Sequence, residues 1–205
     1  MNDLLAHFLR TVHREYFMSF PLWCTADGRI AGEYFKIRLE SRFRPVQDEQ
    51  GAPLGLAAEL LAIGPGGDSI GEQALVRLTR VSESPVVLDR FIRCLHLLNY
   101  LRKPPGNGRL LLPVSAALLE RVEGEHGKVF RQILDRLELP PQAVGFLLPG
   151  SLATAPATLE LLQQNYARHG IEAYLPLAEW DDGYLRVRSL AAQLQQGQSL
   201  QRKRA

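Results

Sequence analysis

The chain has 205 residues, 46% hydrophobic and 22% charged, with a formal net charge of +2. That length suits one domain with its own core, and the balance argues against an intrinsically disordered chain. The only basic cluster is Arg202-Lys203-Arg204 at the C-terminal end, so the sequence offers no basic face for nucleic acid.

The first predicted element is a helix over residues 3–17, where Leu5, Phe8, Leu9 and Val12 recur at helical spacing and Asn2 or Asp3 serves as N-cap. β-prone stretches at 23–26 and 34–39 flank the turn pair Asp27-Gly28 and predict a hairpin. From Arg42 the texture becomes an alternation of strands and helices. Residues 43–46 read as a strand, 48–51 as a turn, 56–63 as a second strand and 64–68 as a loop. Ser84 and Pro85 open a helix as N-cap and first helical residue. Its buried stripe is Leu88, Phe91, Ile92, Leu95 and Leu98, and Lys103-Pro104-Pro105-Gly106 ends it.

Further strands at 110–114, 144–148, 171–177 and 184–187 are separated by three helices. These are a short one capped by Ser115, one carrying Val129, Ile133, Leu134 and Leu137, and one opened by Pro156 and stopped by Gly170. Strands joined through helices make crossover connections, so the class is α/β with a parallel sheet. The division is a helix and hairpin over 1–40, an α/β domain over 41–190 and a polar, glutamine-rich tail over 191–205. No apolar run reaches the ~20 residues of a membrane span. The N-terminal stretch, with His7, Arg10, His13 and Arg14 among its apolar residues, has no leader pattern. With only Cys24 and Cys94, reduced thiols in a cytoplasmic protein that meets neither membrane nor nucleic acid are the expectation.

Candidate chemistry is sparse. The histidines His7, His13, His96, His126 and His169 show no metal spacing. His96 falls on an apolar helix and reads as a core or boundary residue. The glycine loop at 64–71 lacks the Gly-Lys-Ser/Thr ending of a phosphate cradle, and no Gly-x-Ser-x-Gly elbow seats a nucleophile. Asp181-Asp182 pairs two acids in a turn, which either holds a hard cation or marks a solvated loop. Together with His126, these are the residues an unrelated α/β enzyme would use.

One ordered series of segments carries more. Arg44-Pro45-Val46-Gln47-Asp48, then Gly51, then Leu54-Gly55-Leu56-Ala57-Ala58-Glu59-Leu60-Leu61 resembles the opening of the EAL family of cyclic di-GMP phosphodiesterases. There a Gln-Pro-Ile strand and a short turn lead to a glycine just ahead of Glu-Ala-Leu. Val86-Val87-Leu88-Asp89-Arg90-Phe91-Ile92 is similar to the family's first long helix, with its Leu-Asp-Arg-Trp. Leu112-Pro113-Val114-Ser115 falls where the family has Val-Asn-Leu-Ser, and residues 144–151 fall where it has Leu-Glu-Leu-Glu-Ile-Thr-Glu-Ser. The resemblance covers about residues 40–190. It implies an incomplete or modified (β/α) barrel of EAL type, with ligand and metals at the C-terminal strand ends. It also implies phosphodiester hydrolysis by two divalent ions held on carboxylates and an asparagine.

Carried over residue by residue, the resemblance implies that this chemistry is lost. The family glutamate falls on Ala57, with Glu59 two positions on. The metal asparagine falls on Pro113, and the two acids of Glu-Ile-Thr-Glu fall on Leu147 and Gly150. The Asp-Asp-Phe-Gly-Thr-Gly loop falls near Leu175-Pro176-Leu177, and the lysine strand on Leu185-Arg186-Val187. The closing glutamate and glutamine motifs would lie beyond residue 205. A divalent ion needs several anionic oxygens at ~2.0–2.6 Å, and these replacements supply none.

The expected function is therefore a non-catalytic EAL-like regulatory module acting on a protein partner, with no cofactor, no catalytic residue and no metal ligand. The alternative is a cyclic di-GMP receptor without hydrolysis. In that reading Arg44, Glu59 and Arg186 contact the ligand, the two arginines through bidentate phosphate contacts. A sheet that stops after five or six strands also leaves an open edge. The N-terminal helix and hairpin would cover it, or else a second copy of the chain in a homodimer.

Overall fold

The computed structural model describes residues 2–71, 75, 85–102, 108–121, 125, 127–177 and 183–195. Ser84, His126, Asp181 and Asp182 lie outside the described residues. The chain opens with α1 (Asn2–Phe8), a π-helical stretch (Leu9–His13) and α2 (Arg14–Tyr16), which together make the predicted first helix. Strands β1 (Leu22–Cys24), β2 (Ile30–Tyr34), β3 (Ile37–Gln47) and β4 (Pro53–Ile63) follow as an antiparallel series. Then come α3 (Pro85–Arg102), β5 (Arg109–Pro113), α4 (Ala116–Arg121), α5 (Lys128–Arg136), β6 (Val144–Leu147), α6 (Pro156–Arg168), β7 (Glu172–Pro176) and β8 (Leu185–Ser189). Residues 190–195 turn helical again.

The alternation read from the sequence beyond Arg42 is the one observed among the described residues, but the hairpin is displaced: β1 pairs with β2 at residues 30–32 and not with the stretch 34–39. The stretch 34–39 is broken by a two-residue turn, because Phe35 and Lys36 both adopt positive φ, 48° and 61°. That geometry matches the twist of the flanking strands and lets Tyr34 pair with Ile37.

All eight strands form one sheet in sequence order, and β3 also pairs with β8. Strands β3 to β8 therefore close into a six-membered ring, from which β2 and β1 extend outward. β4, β5, β6 and β7 run parallel, whereas β8 returns antiparallel to β7 and parallel to β3. The open edge expected from the sequence is thus met within the chain. The hairpin covers β3 at Ile37–Leu39 through β2, and β8 covers Val46 and Gln47.

Strand alternation sorts the side chains into two cores. Val46, Ala57, Leu111, Tyr174, Leu185 and Val187 point into the ring and form a small inner cluster. Their neighbours Ala58, Leu110, Leu112, Val144, Phe146, Ala173 and Leu175 point outward into the main core under the helices. A six-stranded ring is narrower than the eight-stranded barrels whose interiors side chains just fill, and small residues make room for Tyr174. A Cβ on Gly145 would lie 2.8 Å from both Leu111 and Tyr174. Gly55 has φ 151°, and a Cβ there would meet the Arg109 carbonyl oxygen at 1.9 Å, so only glycine lets β4 reach β5 at that step.

The N-terminal extension shares the main core. Phe8, Phe17, Phe20 and Tyr34 belong to the same cluster as α3. Phe91 of α3 meets Phe17 edge-on at 5.6 Å and Phe20 at 4.7 Å. Asn99 exchanges two hydrogen bonds with the Ile30 backbone, its Oδ1 accepting from N–H and its Nδ2 donating to the carbonyl. Cys94 is buried on α3, and burial pushes its thiol pKa up to about 12.

Candidate functional site at the strand C-terminal ends

β3 and β4 are 11 residues each, longer than the parallel strands beside them. β4 pairs with β5 only through Gly55–Ala57, so its upper half stands clear of β5. A cavity of about 440 Å³ opens between that upper half, the ends of β5 and β6, and the first turns of α3. Its walls are mainly aliphatic. Its polar groups come from Arg42, Glu59, Asp89, His96 and Ser115. This is the end of a parallel sheet where α/β proteins place their ligands.

Two buried polar groups are fixed from behind. Asp89 accepts a hydrogen bond from the Ser115 backbone N–H at 2.8 Å, which ties α3 to the turn after β5. Its second oxygen lies 2.6 Å from Arg93 in a buried ion pair without hydrogen-bond geometry. The Arg93 guanidinium lies over the rings of Phe130 and Phe146, 4.9 Å from each centroid. His96 is 1% exposed, and its Nδ1 shares a 2.8 Å hydrogen bond with the Ser41 hydroxyl. Burial pushes its pKa down to about 3, so the ring is neutral at physiological pH.

Above these lies an ion cluster. The register sets Arg42 opposite Glu59 and Arg44 opposite Ala57, all on the face that carries Val46 into the ring. Glu59 Oε2 accepts a hydrogen bond from Arg42 Nε at 2.7 Å and lies 2.6 Å from Arg42 Nη2, and Oε1 is ion-paired with Arg44 Nε at 2.8 Å. One carboxylate therefore holds two guanidinium groups.

Of the three residues named from sequence, the fold brings Arg44 and Glu59 into contact and leaves Arg186 apart. Leu185 and Val187 point into the ring, so Arg186 between them is exposed on the opposite face. Pairing from Val46 to Arg38 is regular and the single irregularity falls between Val46 and Gln47, so Glu59 shares a face with Ala57. Two residues of strand separate them by roughly 7 Å. Ala57 is fully buried in the inner cluster, and Pro113 and Leu147 pair across the ends of β5 and β6. Gly150 begins the short 3₁₀ turn after β6. Alanine, proline, leucine and glycine side chains carry no oxygen, so these four positions offer no side-chain ligand for a divalent ion. Among the described residues, no group of three or more His, Cys, Asp or Glu is placed to hold a metal.

Sequence reasoning missed Arg42, Asp89 and Ser115 as site residues. Arg42 was accessible from the two-residue strand period once Arg44 was named, and Asp89 from its place in the Leu-Asp-Arg segment.

No protein-family model and no curated protein sequence matches the chain. Solved structures do. The EAL domain of FimX from Pseudomonas aeruginosa, bound to cyclic di-GMP, superposes with a TM-score of 0.53 at 16% identity, covering 88% of this chain and 64% of that one. The fold is EAL-like. A second structure of the FimX EAL domain gives 0.51 at 17% identity, over 70% of this chain and 58% of that one. Vibrio cholerae LapD, bound to cyclic di-GMP, gives 0.48 at 12% identity, over 85% of this chain and 37% of that one. The EAL-like chain spans less than two thirds of the length of each. No helix among its described residues is long and apolar enough to cross a membrane.

Proposed function

We propose that this chain is a non-catalytic regulatory module of EAL architecture that acts through contacts with a protein partner. The observation that carries the reading is a closed six-stranded ring in which Ala57 (the last β4 residue paired with β5), Pro113 and Leu147 at the ends of β5 and β6, and Gly150 just beyond β6 stand where the resemblance puts the family's oxygen ligands. Metal-assisted hydrolysis of a phosphodiester needs oxygen ligands at such positions to hold the ions that activate water. Exposed Leu177 and Tyr184, which flank the β7–β8 connection, offer apolar surface for a partner. The test is chromatography of cyclic di-GMP incubated with the protein and Mg²⁺ or Mn²⁺. Intact cyclic dinucleotide after long incubation supports the reading, and a linear product refutes it.

A second reading makes the module a cyclic di-GMP receptor without turnover. The cavity favours it, since about 440 Å³ falls within the range of small-molecule sites and its aliphatic walls carry a few fixed polar groups. That the FimX EAL domain, whose fold this chain resembles, was solved with cyclic di-GMP bound supports the same choice of ligand. Titration calorimetry with cyclic di-GMP decides between the readings. Saturable heat supports the receptor, and its absence at high concentration leaves the protein contact.

A further inference from the structure

From the ion cluster above the cavity we infer an anion site that the protein fills with its own carboxylate. Arg42 and Arg44 form the site, Glu59 occupies it, and a phosphodiester on an organic ligand displaces Glu59 to bind. The inference rests on reading the strand-end cavity as a ligand site. Three observations lead to it.

The first is stoichiometry. Two guanidinium groups share one carboxylate, and both oxygens of Glu59 are engaged at 2.6–2.8 Å. A guanidinium binds carboxylate and phosphate through the same paired N–H geometry, so the two non-bridging oxygens of a phosphodiester fit where the two carboxylate oxygens sit. The second is placement. Arg42 and Glu59 both line the cavity, and the aliphatic wall below them supplies a surface for the organic part of a ligand. Free phosphate would leave that wall unused. The third is exposure. The side chains of Arg42 and Arg44 are 50% and 33% exposed and that of Glu59 is 18%, so the guanidinium ends of both pairs reach water, where a dissolved anion can meet them. Displacing Glu59 exchanges one anion for another on the two guanidinium groups, and requires the Glu59 carboxylate, 18% exposed in the pair, to swing into water.

The inference predicts that the wild-type protein binds phosphodiesters weakly and that removing the internal anion strengthens binding. Calorimetry would compare the wild type, Glu59→Gln and the double variant Arg42→Ala/Glu59→Gln. The probes are cyclic di-GMP, diphenyl phosphate as a plain apolar phosphodiester, and inorganic phosphate, with thermal melts confirming that each variant is folded. Glu59→Gln binds a phosphodiester at least about ten-fold tighter than wild type, and the gain weakens as salt rises and disappears in the double variant. A gain for diphenyl phosphate without binding of cyclic di-GMP keeps the anion site and removes the cyclic di-GMP reading. Wild-type binding of cyclic di-GMP that Glu59→Gln leaves unchanged or weakens overturns the internal anion and keeps the receptor. An equal gain for inorganic phosphate overturns the assignment to organic phosphodiesters. Absence of binding to every probe in both wild type and Glu59→Gln overturns the site altogether.

Discussion

Asp89 and Glu59 are both carboxylates beside arginines in one cavity, and burial separates their roles. The Asp89–Arg93 pair is 4% exposed on each side and anchors α3 to β5 and to the aromatic pair Phe130 and Phe146. Removing one partner of a buried pair leaves the other charge uncompensated. Asp89→Ala should therefore cost about 3–5 kcal/mol in urea unfolding. Arg42→Ala breaks a half-exposed pair and should cost at most about 1 kcal/mol. His96 adds a pH dependence. Its pKa is near 3 in the folded chain, held down by burial, and rises to about 6.5 once unfolded. The unfolded chain takes up the proton first, so this stabilisation is whole above about pH 6.5 and declines toward pH 3, at up to ~1.4 kcal/mol per unit. Glu15, Glu49 and Glu125 also have lowered pKa values, each through an arginine or lysine partner, and their contributions fall away only below about 4.5. Between pH 6.5 and 5 His96 therefore adds a slope of its own, above the range of these carboxylates, and His96→Gln should remove that part of it in unfolding titrations. The sequence showed His96 as a core residue but not the Ser41 hydroxyl that fixes it, since that contact joins elements 55 residues apart.

At the scale of elements, legibility followed local chemistry. Ser115 was readable as a cap, and its hydroxyl oxygen accepts from the Leu118 N–H at 3.2 Å. Asp48 was readable as a turn former and accepts from the Gln50 and Ala52 N–H groups. The β2–β3 turn was unreadable because Phe35-Lys36 carries none of the glycine or asparagine chemistry that such a turn prefers. Tertiary packing holds it instead, with Phe35 edge-on against Tyr34 at 4.7 Å and Tyr34 stacked on Phe20. A left-handed residue with a Cβ costs roughly 1–2 kcal/mol. Lys36→Gly should thus raise stability by about 1 kcal/mol and lift the melting temperature, while a fall would show that the Lys36 side chain itself supports the turn. The parallel strands were readable as apolar runs, yet only their pairing shows which residues enter the ring. Leu111 faces inward and its neighbours Leu110 and Leu112 outward, although all three are leucine.

At the scale of the molecule, the α/β class and the alternation of elements were written in local sequence, and ring closure was not. β8 joins β3 across more than a hundred residues through two paired positions, Val46 with Leu185 and Gln47 with Arg186. No periodicity within either strand encodes that partner choice. The same distance hid the candidate site. Arg42, Glu59, Asp89, His96 and Ser115 come from β3, β4, α3 and the turn after β5, and none forms a spaced motif. Of the positions named by the EAL-like series, Pro113 and Leu147 end β5 and β6, Ala57 is the last β4 residue paired with β5, and Gly150 follows β6. In the proposed function they stand where oxygen ligands would be needed. The most direct measurement of that claim is a Mn²⁺ titration followed by electron paramagnetic resonance, with and without cyclic di-GMP. A ring without a metal cage leaves the ion free in solution at protein concentrations of about 100 μM, because weak oxygen sites hold such ions only at about millimolar levels. Two Mn²⁺ ions bound per chain, tightened by cyclic di-GMP, would contradict the account.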